Sequence, residues 1–126
     1  MDVATEYQHA KAYIHWCMLH PLLRDVVIHI PNEGKRSSHG GYGLKLIGLR
    51  PGVSDFFIPV PVDPYHGLWI ELKALKGRLT VDQRIWLGRM KDRLYAAYVA
   101  YGWDEARSLT EEYLKPLMKT GARYGG

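Results

Sequence analysis

Charged residues interrupt two apolar runs at places where an ordinary sheet core would hold none. The runs are Phe56-Phe57-Ile58-Pro59-Val60 and Leu68-Trp69-Ile70-Glu71-Leu72-Lys73-Ala74; Asp55 opens the first, and Glu71 and Lys73 lie inside the second. Aromatic and β-branched residues bounded by proline and glycine predict strands. Alternate residues of a strand share a face, so Glu71 and Lys73 point to one side and Ile70, Leu72 and Ala74 to the other. The segment Pro61 to Gly67 predicts an antiparallel hairpin centred near Pro64. That hairpin sets Asp55 opposite Lys73, within a residue or two, and diagonal to Glu71 at roughly 7–8 Å. Two carboxylates and an ammonium then converge at one end of a sheet. Burying them uncompensated is costly. A hard divalent cation compensates, since Mg²⁺ takes one or two carboxylates plus waters and substrate phosphates.

With 126 residues and a hydrophobic fraction of 47%, one domain around one core, residues 1–126, is expected. The net charge of +4 favours a partner with a negative surface, nucleic acid first. Cys17 is the sole cysteine, which excludes an intrachain disulfide and a cysteine-cluster zinc site; it reads as a small buried apolar residue. His15 and His20 interrupt the first apolar stretch, and no run approaches about 18 apolar residues. A soluble, intracellular protein without a signal peptide or membrane span is the expectation.

In chain order, residues from about Asp2 to His20 predict an amphipathic helix with Val3, Tyr7, Ala10, Ile14 and Cys17/Met18 at three- and four-residue spacing. Pro21 ends it. Val26 to Pro31 is β-branched and predicts a strand. From Asn32 to Gly43 the chain is polar, basic and glycine-rich, a loop leading into a short helix around Tyr42 to Gly48. Its glycines let the backbone come close to a ligand, but the GK[ST] ending of a phosphate-binding P-loop is missing. Glu33, directly after a strand, is placed to reach the same cation as Asp55 and Glu71. Thr80 starts a helix with Gln83 three residues later, a capping-box pattern. Gln83, Trp86/Leu87, Met90 and Leu94 form its inward stripe, while Arg84 and Lys91 face solvent. Tyr95 to Tyr101 predicts a buried strand, and Asp104 a cap for a last helix with Ala106, Leu109, Tyr113 and Leu114 on its apolar side. The tail from about 119 to 126 is expected to fray. The order helix, strand, helix, strand, strand, helix, strand, helix predicts an α/β domain with a mixed sheet flanked by helices.

Asp55, Glu71 and Lys73 in this arrangement suit phosphodiester cleavage. The carboxylates hold Mg²⁺ or Mn²⁺, with the Leu72 carbonyl as a further hard oxygen ligand, and the ion activates a water. Lys73 orients or deprotonates that water, or stabilises charge developing on the phosphate.

Asn32-Glu33-Gly34, Gly52-Val53-Ser54-Asp55, Glu71-Leu72-Lys73 and Gln83 with Trp86 occur in the order and context of a known family. The chain from about Val26 to Trp103 resembles the virus-type replication-repair nuclease (VRR-NUC) domain of the PD-(D/E)xK superfamily, in its stand-alone form. The resemblance implies a restriction-endonuclease-like core and metal-dependent DNA cleavage. Asp55, Glu71 and Lys73 match the signature triad, Glu33 the upstream active-site glutamate, and Gln83 the glutamine on the following helix. Ser54 stands where the family usually has proline. Short members of the family, of viral or bacterial origin, look like homodimers that act on branched DNA such as four-way (Holliday) junctions, which implies a role in DNA repair. A C2 dimer would bring two sites to two strands, and Tyr13 and Trp16 of the first helix are candidates for its interface. Lys35, Arg36, Lys45, Arg50, Lys76 and Arg78, in loops around the site, are candidates for phosphate contacts, and Tyr42 could stack on a base. The alternative is a nucleic-acid-binding module of the same fold with a weakened active site.

Overall fold

The computed structural model describes residues 4–31 and 46–119. Four strands form one sheet in the order β1-β2-β3-β4: β1 Ile28–His29, β2 Phe56–Ile58, β3 Leu68–Lys73 and β4 Ala96–Tyr101. β1, β2 and β3 pair antiparallel in succession, and β4 joins β3 in parallel through a crossover helix, α2, Val81–Asp92. Helices α1, Glu6–Leu19, and α3, Trp103–Lys119, flank the sheet. The mixed sheet with flanking helices is the expected α/β class. The expected short helix lies outside the described residues except for its end, where Leu46 and Ile47 are exposed. The tail expected to fray lies outside them too, from residue 120 onward.

Alternation along β3 divides the molecule into layers. Leu68, Ile70 and Leu72 join Phe56, Ile58, Ala96 and Ala100 in one core with Tyr13 and Cys17 of α1 and Ala106 and Leu114 of α3. Trp69 and Glu71 turn the other way, against Trp86 and Gln83 of α2. Burial of Cys17 is as expected, and lack of hydration pushes its thiol up to about 12.

Four expectations need correction. The inward stripe of α1 is centred on Tyr13 rather than Tyr7: Tyr13 is fully buried and Tyr7 is 72% exposed. The reason is polar as much as apolar, because the Tyr13 hydroxyl and Thr110 Oγ1 of α3 are hydrogen-bonded at 2.7 Å, and a buried phenol needs a partner. Tyr13 is therefore no exposed interface residue. Second, β1 is short. The Val26 and Val27 N–H groups donate to the Leu23 carbonyl at 3.0 and 2.9 Å, so that stretch turns instead of pairing. Third, α3 begins at Trp103, which places Asp104 inside its first turn and not at its cap.

The fourth concerns the end of α2. Leu94 does not extend the inward stripe; the helix stops at Asp92 and Leu94 is exposed with φ of 64°. Tyr95 N–H donates to Met90 O at 3.0 Å and Leu94 N–H to Lys91 O at 3.1 Å. That pair of bonds is the Schellman closure, whose left-handed position favours glycine. Leucine there costs roughly 1–2 kcal/mol of steric strain, partly offset by the entropy that glycine loses. Leu94→Gly is expected to stabilise the protein by roughly 0.5–1 kcal/mol, measured as a higher urea midpoint with unchanged slope.

Candidate active site

The hairpin register places the charges. Pairing runs Phe56↔Ile70, Phe57↔Trp69 and Ile58↔Leu68. One further step sets Asp55 opposite Glu71, two residues from the Lys73 pairing and within the expected margin. The turn closes at Val62 and Tyr65, whose backbones exchange hydrogen bonds of 3.1 and 2.8 Å, so the reversal centres ahead of Pro64. A shift of two residues preserves every side-chain face, and it turns a diagonal contact of the carboxylates into a direct one. The Asp55 backbone is held by Ile30 N–H, donated to its carbonyl at 2.7 Å, and its Oδ2 accepts from Leu72 N–H at 2.7 Å.

Glu71 and Lys73 are buried, with 2% and 6% of their surface exposed. Glu71 Oε2 accepts from Gln83 Nε2 at 3.0 Å and lies 3.8 Å from Lys73 Nζ. Gln83 also completes the capping box: its Oε1 accepts from Thr80 N–H at 2.9 Å, while Thr80 Oγ1 accepts from Gln83 N–H at 3.1 Å. One glutamine therefore terminates a helix and anchors a buried carboxylate. Glu71 Oε1 is buried with no N–H or hydroxyl donor among the described residues, and the Asp55 carboxyl is near enough to share a proton with Glu71.

Burial, then the charge of Asp55, pushes the Glu71 carboxyl up to about 9, against the pull of Lys73. Asp55 is raised as well, by burial first, with the Leu72 N–H opposing. The pocket is short of positive charge. A carboxyl raised from its ordinary 4.5 to about 9 binds its proton more tightly in the folded state. Its contribution to stability is thus complete below the lower value and is lost as pH climbs toward the upper one. In EDTA, the thermal midpoint is expected to fall between about pH 4.5 and about pH 9, and Glu71→Gln to flatten that slope in a calorimetric series.

Gly52 ties this strand entry to α2. It has φ of 84°, and a Cβ there would lie 2.4 Å from the carbonyl carbon and oxygen of Asp82 and 2.7 Å from Gln83 N. Only glycine lets the loop before Asp55 rest on the helix turn that carries Gln83. Gly52→Ala is expected to cost roughly 2 kcal/mol or more, read from denaturant midpoints. Ser54, next to Asp55, is fully buried and its Oγ has no partner among the described residues.

The VRR-NUC domain model matches residues 4–104. The chain belongs to the VRR-NUC family. A solved structure titled "VRR_NUC domain protein" is similar, with 26% sequence identity and a TM-score of 0.79 over 90% of this chain and 91% of that one. No curated protein sequence matches the chain. The family carries a nuclease-type fold, and the four-stranded sheet with its helices agrees with it.

In this VRR-NUC domain the structure brings together Asp55, Glu71, Lys73 and Gln83. The Leu72 carbonyl leaves the strand on the same side as its N–H, which is the side of Asp55. Glu33, Lys35, Arg36, Tyr42 and Lys45 lie outside the described residues. Lys76 and Arg78 are exposed on the turn between β3 and α2; Arg50, also exposed, lines a cavity of about 420 Å³ with Ile30, Val53 and Trp86.

Sequence reasoning missed Glu6. Its charge, in the first turn of α1, raises both Asp55 and Glu71. The Thr5/Gln8 capping box marks where that turn starts, but nothing local says that it faces β3. No group of three or more His, Cys, Asp or Glu side chains close enough to hold a metal ion occurs among the described residues. Asp55 and Glu71 nevertheless fit Mg²⁺ in kind: two hard carboxyl donors, with Glu71 Oε1 unpaired, whose proton affinities stay raised although Lys73 lies close by.

Proposed function

We propose that this chain is a Mg²⁺-dependent DNA endonuclease, with Mn²⁺ as a substitute, selective for branched DNA such as four-way junctions. The observation that carries this is the direct opposition of half-buried Asp55 and buried Glu71, beside Lys73 and with too little positive charge. Asp55, Glu71, the Leu72 carbonyl and Glu33 would hold the ion. When bound, it would polarise the scissile phosphate and lower the pKa of a water. Gln83 fixes Glu71 through Oε2, which leaves Oε1 for the site. Lys73, 3.8 Å from Glu71, orients the attacking water or takes its proton, and its charge favours the phosphorane-like transition state. Lys76, Arg78 and Arg50 supply phosphate contacts without reading sequence. No helix among the described residues is long and apolar enough to cross a membrane.

A homodimer belongs to the same proposal, supported by the outer edge of β4. Ala96 N–H and Gly102 N–H point to β3, at 3.0 and 2.8 Å from Gly67 O and Lys73 O. The N–H groups of Ala97 and Val99 alternate outward, Ala97 being buried and Val99 half-buried, whereas Tyr101 N–H is taken by Glu105 Oε1 at 3.2 Å. An uncharged strand edge with an outward N–H at Val99 is a template for pairing, and light scattering should return twice the monomer mass.

The decisive assay incubates the full chain with labelled four-way junction and linear duplex in Mg²⁺, Mn²⁺ or EDTA. Metal-dependent cutting is expected, reduced on the order of 10²–10⁴-fold by Lys73→Ala. Asp55→Asn and Glu71→Gln are expected to lose cutting while binding DNA at least as well in EDTA, because a carboxylate no longer repels phosphate. Tight binding without cutting in either metal would overturn the nuclease in favour of a binding module.

A further inference from the structure

The outer side of α2 has features that its own packing does not require. Gln83, Trp86, Leu87 and Met90 turn inward, buried or half-buried. Opposite them, at 100° per residue, run Val81, Ile85, Gly88 and, at the helix end, Asp92, all exposed. Arg84 and Lys91 line one flank of this strip, and Arg89 and Arg93, with Asp82 of the first turn between them, line the other, so cations outnumber carboxylates on this face by four to two. Among the described residues, the side chains of Arg84, Arg89 and Lys91 enter no ion pair, and only Arg93 is engaged, through Nη1 on the Arg89 carbonyl at 3.0 Å.

Gly88 is the telling position. Glycine inside a helix costs about 1 kcal/mol relative to alanine, and a Cβ at Gly88 would meet nothing within 4 Å. The protein's own interior therefore does not ask for glycine there, whereas close approach of another backbone would. Arg84 lies one turn before it and Lys91 one turn after, about 10 Å apart along the axis. That spans about three nucleotides of one duplex strand at 3.4 Å each. The helix starts at the wall of the carboxylate site, where Gln83 holds Glu71, and runs away from it.

We propose that the outer face of α2 docks the sugar-phosphate backbone of a second duplex arm, distinct from the strand that enters the carboxylate site. This rests on the DNA-nuclease proposal above and gives it a physical basis for preferring branched substrates. A junction offers an arm to each surface, while a short linear duplex fills only one.

The test measures binding of the full chain to a four-way junction and to a short linear duplex, in EDTA, across a salt series. Each lost phosphate contact lowers the slope of log affinity against log salt by about 0.9. Arg84→Ala with Lys91→Ala is expected to lower the junction slope by about 2 and to weaken junction affinity about tenfold or more, leaving linear-duplex affinity within about twofold. Gly88→Leu is expected to raise the melting temperature, since leucine is the better helix former, yet weaken junction binding; that combination separates docking from a folding defect. Lys115→Ala, on α3, is the control and should change neither. Unchanged junction binding in the double variant, or equal losses on both DNAs, overturns the second-arm surface while the nuclease proposal stands. A wild-type protein that binds neither DNA at low salt overturns both.

Discussion

Two carboxylates facing each other across a strand pair are the constraint on which the rest of the structure turns. Asp55 is half-buried and Glu71 buried, close enough that the charge of Asp55 raises the proton affinity of Glu71, and with both ionised they would push the strands apart. Every neighbouring group acts on that repulsion. Leu72 N–H takes one oxygen of Asp55, Gln83 takes one oxygen of Glu71, and Lys73 brings a cation to within 3.8 Å. Compensation is incomplete, with Glu71 Oε1 left unpaired among the described residues. A structural ion pair would be closed more fully, because an unsatisfied buried charge has no stabilising return. Incomplete closure is what the proposed metal and phosphate site would require.

The fold separates two tasks by strand alternation. On one side of β3, Leu68, Ile70 and Leu72 seal a core under α1 and α3; on the other, Trp69 packs on Trp86 while Glu71 meets Gln83. Polar chemistry can be buried on the α2 side because the apolar side supplies cohesion. Gly52 and the Thr80 cap join the loop before Asp55 to the start of α2. Side chains from a loop, a strand and a helix are thereby held by backbone contacts, the condition for a site with little reorganisation.

Some departures from expectation share one cause. The α1 stripe fits either Tyr7 or Tyr13 by spacing alone, and the hydroxyl of Thr110, far along the chain, decides between them. Leu94 is apolar at a helical spacing, yet the strand that must begin at Ala96 forces the chain to turn there. Glu6 carries no local mark of its role, because its nearness to Asp55 and Glu71 follows from how α1 lies on the sheet.

The sequence by itself determined the strands and helices around the hairpin, the face shared by Glu71 and Lys73, the capping pattern of Thr80 and Gln83, and the set of residues that marks the family. The first three depend on periodicity and capping, which act over a few residues, and the last on motifs kept in order along the chain. Only the tertiary structure decided that Asp55 faces Glu71 and not Lys73, that Glu6 adds its charge, and that burial lifts Glu71 to about 9. Register and dielectric are set by contacts between segments distant in the chain, and a carboxylate's proton affinity depends on what those segments exclude and enclose.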